Sequence, residues 1–297
     1  MDNMEIIDTE GDVIVTCAEM VSFLVSRKAL SLASSKLCAM LKPLIESESG
    51  GCLTLCLPDD DPEAFRLFFQ IAHHRRLPSP DSPSANLLHS LAIIIDKYRC
   101  RDAMEPWGRI WLSQIHNRRR PQEDVWQFVQ FAYVLKNTKS FFRYSRELLS
   151  LGLDESCITN LGLMPNTTLG AFKEKKQRIS DDVQVAIMET HDRFAEFQCA
   201  YARSFLADHV TGLKTAGLLP STAVFKAKSF NQIQRDAKSL RPSSYECAPH
   251  GRCRCSGLSG YKPKASLNDG LEKCWQKMGL CLPCFDGYCE EHPIVSQ

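Results

Sequence analysis

The sequence predicts a mixed α+β fold at the N-terminus, a short sheet with clustered helices, followed by a mainly α-helical region and a Cys-rich tail. Three observations predict it. Apolar residues alternate over short stretches within 12–25 and 52–57, the spacing of half-buried strands. Over most of the remaining chain up to residue 212 they recur every three or four positions, the spacing of helices. Seven of the 14 cysteines crowd into the stretch from Cys247 to Cys289. The boundaries read from these shifts are residues 1–116, 117–240 and 241–297.

Within the first segment, Asp12 to Val25 reads as two strands, with Val13 and Val15 alternating with Ile14 and Thr16. Arg27 to Leu41 switches to helical spacing, and Ser34 is placed to cap a second helix. In CLTLCL, Leu53, Leu55 and Leu57 share one strand face. In DDDPEAFRLFFQIAHHRR, Asp61 is an N-cap, Pro62 suits the first helical position and Glu63 suits the positive end of the dipole. Phe65, Phe68, Phe69 and Ala72 form its buried stripe, and His73 to Arg76 are expected in its last turn. PSPDSP (78–83) is a loop. Helices follow over Ala85 to Tyr98 and Ala103 to Ile115, the latter with Trp107 and Trp111 one turn apart.

HNRRRP (116–121) reads as a surface boundary, and two helices follow it, the second stopped at Gly152. The longest helical stripe is expected to begin at Ser180 as N-cap. It runs through Val183, Ile187, Thr190, Phe194, Phe197, Tyr201 and Phe205 and ends at Gly212. KEKKQR (173–178) reads as a solvated face or loop.

The 297 residues allow about two domains, and an apolar share of 44 % allows a packed core. A formal net charge of +1 supplies no global pull toward nucleic acid or anionic membrane. The opening MDNMEIIDTEGDV lacks the basic start and apolar core of a signal peptide. No stretch approaches the roughly 18–20 apolar residues of a membrane span. These features predict a soluble protein of the nucleus and/or cytoplasm without a membrane partner. In such a reducing compartment, clustered cysteines suggest metal. Scattered ones, here Cys17, Cys38, Cys52, Cys56, Cys100, Cys157 and Cys199, suggest core packing.

The order of the first elements has a familiar wording. GDVIV, FLVSRKALSLASSKLCAML, LTLCLPDDDPEAFRLFFQIAHHR, LAIIIDKYRC and PWGRIWL, taken together from about Ile7 to Leu112, resemble the BTB/POZ domain of the fungal type. The resemblance implies a BTB/POZ α+β fold and a protein-interaction role. It matches Asp12 and Arg27 to a charged pocket beside the dimer interface of members that dimerise. It matches Leu44-Ile45-Glu46 to an apolar-x-Glu element, following the second helix, that some members use to contact a cullin. Ser26 and Leu37 depart from the pattern, standing where the family often has His and an aromatic residue.

No catalytic constellation is present: there is no phosphate-cradling glycine loop, no GxSxG and no HExxH. His191-Asp192 reads as an exposed helical pair. The tail offers two candidate zinc sets, since tetrahedral zinc takes four Cys or His ligands on tight turns. One is Cys281, Cys284, Cys289 and His292; the other is Cys247, His250, Cys253 and Cys255. The competing reading makes these cysteines small apolar residues of a helix-capped or loosely ordered tail. With seven Lys+Arg against six Asp+Glu from Arg241 to Gln297, the tail is not suited to sequence-blind DNA binding.

The expectation is therefore a non-enzymatic interaction protein that forms a homodimer or recruits protein partners. One form of it is a substrate adaptor for a cullin-type ubiquitin ligase. The alternative is a transcription-associated regulator with a zinc-dependent C-terminal module.

Overall fold

The structure, a computed structural model, describes residues 4–47, 51–75, 83–115, 120–152, 155–158, 162–247 and 254–285. It is mixed α+β and mostly helical, with a small sheet near the N-terminus and a Cys-rich C-terminal region. Contacts divide the chain into two units, residues 1–144 with 157–166 and 281–297, and residues 145–156 with 167–280.

The first unit is built on four short strands, β1 (Met4–Ile6), β2 (Val13–Thr16), β3 (Ser22–Val25) and β4 (Leu53–Cys56), in the order β1-β3-β2-β4. β2 runs antiparallel to β3 and parallel to β4, and β1 runs parallel to β3. Val13 stands opposite both Val25 and Leu53, so the alternating apolar residues fall in register on one buried face. Edge strand β1 has no counterpart in the sequence expectation. Its three residues are too few for a period to be read, and Met4 and Ile6 remain exposed.

Two helices, α1 (Arg27–Ala33) and α2 (Ser35–Ser47), form the expected pair. Ser34 sits between them; its hydroxyl accepts the Leu37 N–H (3.0 Å) and donates to the Tyr98 carbonyl. In α3 (Pro62–Ala72), Asp61 caps as the sequence predicts, its carboxylate accepting from Glu63 N (2.8 Å) and Ala64 N (3.3 Å). Phe65, Phe68 and Phe69 of this helix are buried, and Phe69 meets Phe23 of β3 edge-on at 5.3 Å. The helix ends at Ala72, so His73 caps it and His74 and Arg75 lie beyond it rather than in its last turn. Arg76 and the 78–82 part of the expected loop lie outside the described residues.

Helix α4 (Ala85–Tyr98) has the predicted bounds, with Ser84 as its cap, and α5 (Arg101–Gln114) carries Trp107 and Trp111. α6 (Gln122–Val134) packs extensively along α4. Its Val125, Phe128, Val129, Phe131 and Ala132 are all buried. Contact therefore carries the first unit past the boundary read at residue 116, to the middle of α7 (Thr138–Ser150). The composition change at 116–121 marks a connection between packed helices, and residues 116–119 of it lie outside the described residues. α7 is followed by Gly152 at φ 88°, a left-handed backbone that glycine adopts without strain.

The second unit is built around α8 (Thr168–Ala195), with α9 (Ala200–Thr215), α10 (Ser221–Ala227), α11 (Phe230–Ser239) and α12 (Pro263–Lys277). The helix expected from Ser180 to Gly212 is instead two. α8, with Thr167 as its N-cap, starts thirteen residues earlier, because Lys173 to Arg178 are strong helix formers and Phe172, Ile179 and Val183 extend the buried stripe backward. The Lys-rich stretch is thus a largely solvated helical face. The break falls at residues 196–199, and α9 runs through Gly212 to Thr215. Gly270 permits the close approach of α12 to α8, since a Cβ there would lie 2.8 Å from the Ala186 Cβ. Phe230 stacks on Trp275 at 6.0 Å, and the Arg146 guanidinium lies 4.5 Å from the Trp275 ring centre.

Candidate functional site

Asp12 precedes β2 and Arg27 opens α1, and the β2–β3 hairpin brings them together. The Arg27 backbone N–H donates to Asp12 Oδ1 at 2.7 Å, and its Nε lies 3.4 Å from Oδ2. The carboxylate thus satisfies one of the first-turn amides of α1, which have no partner within the helix. With the side chains 42 % and 45 % exposed, the ion pair itself contributes under about 1 kcal/mol.

Ser26, where the resemblance expects His, is served by a histidine from elsewhere. Its backbone N–H donates to His73 Nε2 at 2.9 Å, and His73 Nδ1 lies 2.8 Å from the Phe69 carbonyl. This geometry requires the neutral ring, with the proton on Nδ1 donated to Phe69 and a bare Nε2. Burial lowers the His73 pKa, against the opposing pull of the Phe69 carbonyl and Asp8; Arg75 and His74 lower it further. Because the folded pKa lies below the unfolded value of about 6.5, the unfolded chain binds more protons in the window between them. The stabilisation is complete above that value and is lost as pH falls through the window. Urea midpoints at pH 7 and pH 5 are therefore expected to differ more in the wild type than in His73→Gln, and equal differences would refute this role.

Beside this contact lies a groove of about 580 Å³ whose walls include Ala29, Leu32 and Ala33 of α1, Ile71 of α3, and Pro106 and Trp107 of α5. Leu32 is 81 % exposed and Trp107 37 %, so a large part of the groove's apolar lining faces outward.

Leu44 and Glu46 lie in the last turn of α2, not beyond it, because α2 continues past Pro43 to Ser47. Leu44 is half-buried, while Ile45 (41 %) and Glu46 are exposed. Two positions apart on a helix, Leu44 and Glu46 face different sides.

Of the two tail sets, Cys281 precedes and Cys284 lies within the short helix α13 (Leu282–Phe285), and both are half-buried. Phe285 anchors that helix in the first unit against Tyr133 and Phe141, each at 5.8 Å. Cys289 and His292 lie outside the described residues, as do His250 and Cys253 of the other set. Cys247 and Cys255 are described, and their Sγ atoms are 3.4 Å apart.

Their described third partner is one the sequence reading placed among scattered core residues. Cys199, at the N-cap of α9, puts its Sγ within 4.8 Å of both Cys247 and Cys255. Among the described residues this is the one group of three or more side chains able to share a metal ion. Spacing held no signal for it, because Cys199 is 48 residues from Cys247. Phe194, Ala202, Tyr245 and Cys255 are buried around the cluster, with Phe197, Phe205, Leu258 and Tyr261 packed against them. The Tyr245 hydroxyl donates to Cys255 Sγ at 3.0 Å, and burial followed by the hydrogen bonds to Cys255 and Cys247 pushes its pKa far above the usual phenol value. By contrast, Cys17 and Cys100 are buried thiols pushed up to about 12, mainly by desolvation, and are core residues as the sequence predicts, whereas Cys52 and Cys56, expected in the core as well, are exposed on either side of β4's buried leucines.

No protein-family model matches the sequence, and no curated protein matches it. Among the described residues, no helix is long and apolar enough to cross a membrane.

Proposed function

We propose that the chain is a non-catalytic interaction protein whose N-terminal unit is a BTB-type domain that pairs with a second copy of itself. The observation that carries this reading is the uncovered apolar face of α1, with Leu32 81 % exposed beside the groove that Trp107 helps to line. Arg27, held by Asp12, stands one residue before the groove-lining Lys28, so a charged pair borders an apolar surface. An apolar centre with a polar rim suits a protein partner. The small sheet, the α1–α2 pair and the capped α3 support the BTB reading.

Light scattering on the eluting wild-type chain at micromolar concentration is expected to give a dimer mass, and Leu32→Glu a monomer mass with unchanged circular dichroism. A monomeric wild type would end the self-pairing reading and leave recruitment of a different protein to the same face.

A narrower role, bringing a substrate to a cullin-type ubiquitin ligase, rests on Leu44 and Glu46 and is supported by the exposure of Ile45 and Glu46 on α2. A purified cullin N-terminal domain should be retained by the wild type and lost by the Leu44→Ala, Glu46→Ala double variant. Absence of retention by the wild type at micromolar concentration removes that role.

A further inference from the structure

We propose that Cys199, Cys247 and Cys255 bind one zinc ion as thiolates, joining the start of α9 to the segments on either side of residues 248–253. Zinc–sulfur bonds of about 2.3 Å in a tetrahedron place sulfurs about 3.8 Å apart. The three Sγ atoms lie within 4.8 Å of one another, and the Cys247–Cys255 pair at 3.4 Å. A disulfide would require about 2.05 Å, so Cys247 and Cys255 are not bridged, and the three sulfurs are close enough to share one ion.

Three further features separate this cluster from cysteines that merely fill a core. The sulfurs arrive from separate places: the N-cap of α9, the end of the segment 241–247, and the short turn Arg254–Leu258. Packing of small apolar residues does not require three sulfurs to meet. Cys199 stands at the N-cap of a 16-residue helix, where its side chain makes no capping hydrogen bond and its Sγ lies with the other two sulfurs instead. The buried Tyr245 hydroxyl donates to Cys255 Sγ, the outer-shell hydrogen bond that orients a metal ligand.

Soft sulfur donors select zinc over magnesium or calcium, and the ion displaces the thiol protons when it binds. The three thiols supply three of the four positions of a tetrahedral site, walled by Phe194, Phe205 and Tyr261. His250 and Cys253 are no part of this assignment. The inference is independent of the interaction role proposed for the N-terminal unit.

The test uses the full chain, produced in zinc-containing medium and purified under reducing conditions. Elemental analysis is expected to show Cys199→Ala losing about one zinc per chain relative to the wild type, with Cys52→Ala, which removes an exposed thiol, unchanged. If Cys199→Ala does not fold, the wild type alone decides. Alkylation mapped by mass spectrometry should then find Cys199, Cys247 and Cys255 protected together and exposed together by a zinc chelator. Equal zinc in wild type and Cys199→Ala, or chelator-independent alkylation of the three thiols, would each overturn the assignment.

Discussion

Asp60→Ala is expected to destabilise the N-terminal unit by about 2–4 kcal/mol. Asp60 is 4 % exposed in the turn after β4. Its carboxylate accepts two hydrogen bonds from Lys97 Nζ, each 2.8 Å, and one from the Tyr98 hydroxyl at 2.5 Å. Tyr98 is itself a junction: its carbonyl accepts from Ser34 between α1 and α2, and its ring meets Phe65 of α3 at 5.3 Å. Removing the carboxylate leaves the Tyr98 hydroxyl buried without its acceptor, which supplies most of the loss. Lys97 is 40 % exposed and regains water, which keeps the loss below that of a fully buried pair. Asp60→Asn keeps an acceptor for Tyr98 and should lose about half as much. Urea denaturation, with hydrogen exchange of the β2 to α3 amides, reads both. An alanine variant within about 0.5 kcal/mol of wild type would show that the carboxylate does not hold these elements together.

Phe194→Ala is expected to cost the second unit about 3–5 kcal/mol, the usual range for emptying a buried phenylalanine site. The Phe194 ring lies 4.8 Å from Tyr245, 5.3 Å from Phe205 and 5.7 Å from Tyr261, so it joins α8 and α9 to the segments around residues 245 and 261. Tyr261 is tied to α8 a second time through Thr190, their oxygens 3.1 Å apart. Loss of the ring leaves a cavity that the surrounding aromatics, each held by a neighbour, close only in part. Phe194→Leu retains most of the volume and should cost about 1–1.5 kcal/mol. Thermal melts and hydrogen exchange of α8 and α9 amides measure the difference; an alanine effect no larger than the leucine effect would mean that the site collapses around the missing ring.

What was legible in the sequence follows from the range of each signal. The cap at Asp61, the bounds of α4 and the stop at Gly152 depend on residues a few positions apart, and they match. The alternation that marks β2, β3 and β4 is equally local. Ser180 and Gly212 misled because each residue type is also tolerated inside a helix. A long run of good helix formers upstream and the break at 196–199 decided the bounds instead. The expected helical position of His73 failed by one residue, and that residue became a contact: at the cap, its ring reaches Ser26, 47 positions away.

By itself, the sequence determined strands β2, β3 and β4 and the helices from α1 to α7, with most of their starts and stops and the faces they bury. These outcomes rest on periodicity and capping, which act within a turn or two of chain. Only the tertiary structure decided which polar and sulfur atoms meet. Asp60 finds Tyr98 across 38 positions, and Cys199 finds Cys247 across α9, α10 and α11. Such meetings depend on how buried faces stack. That stacking is set by the summed packing of many side chains, and no spacing rule along the chain encodes it.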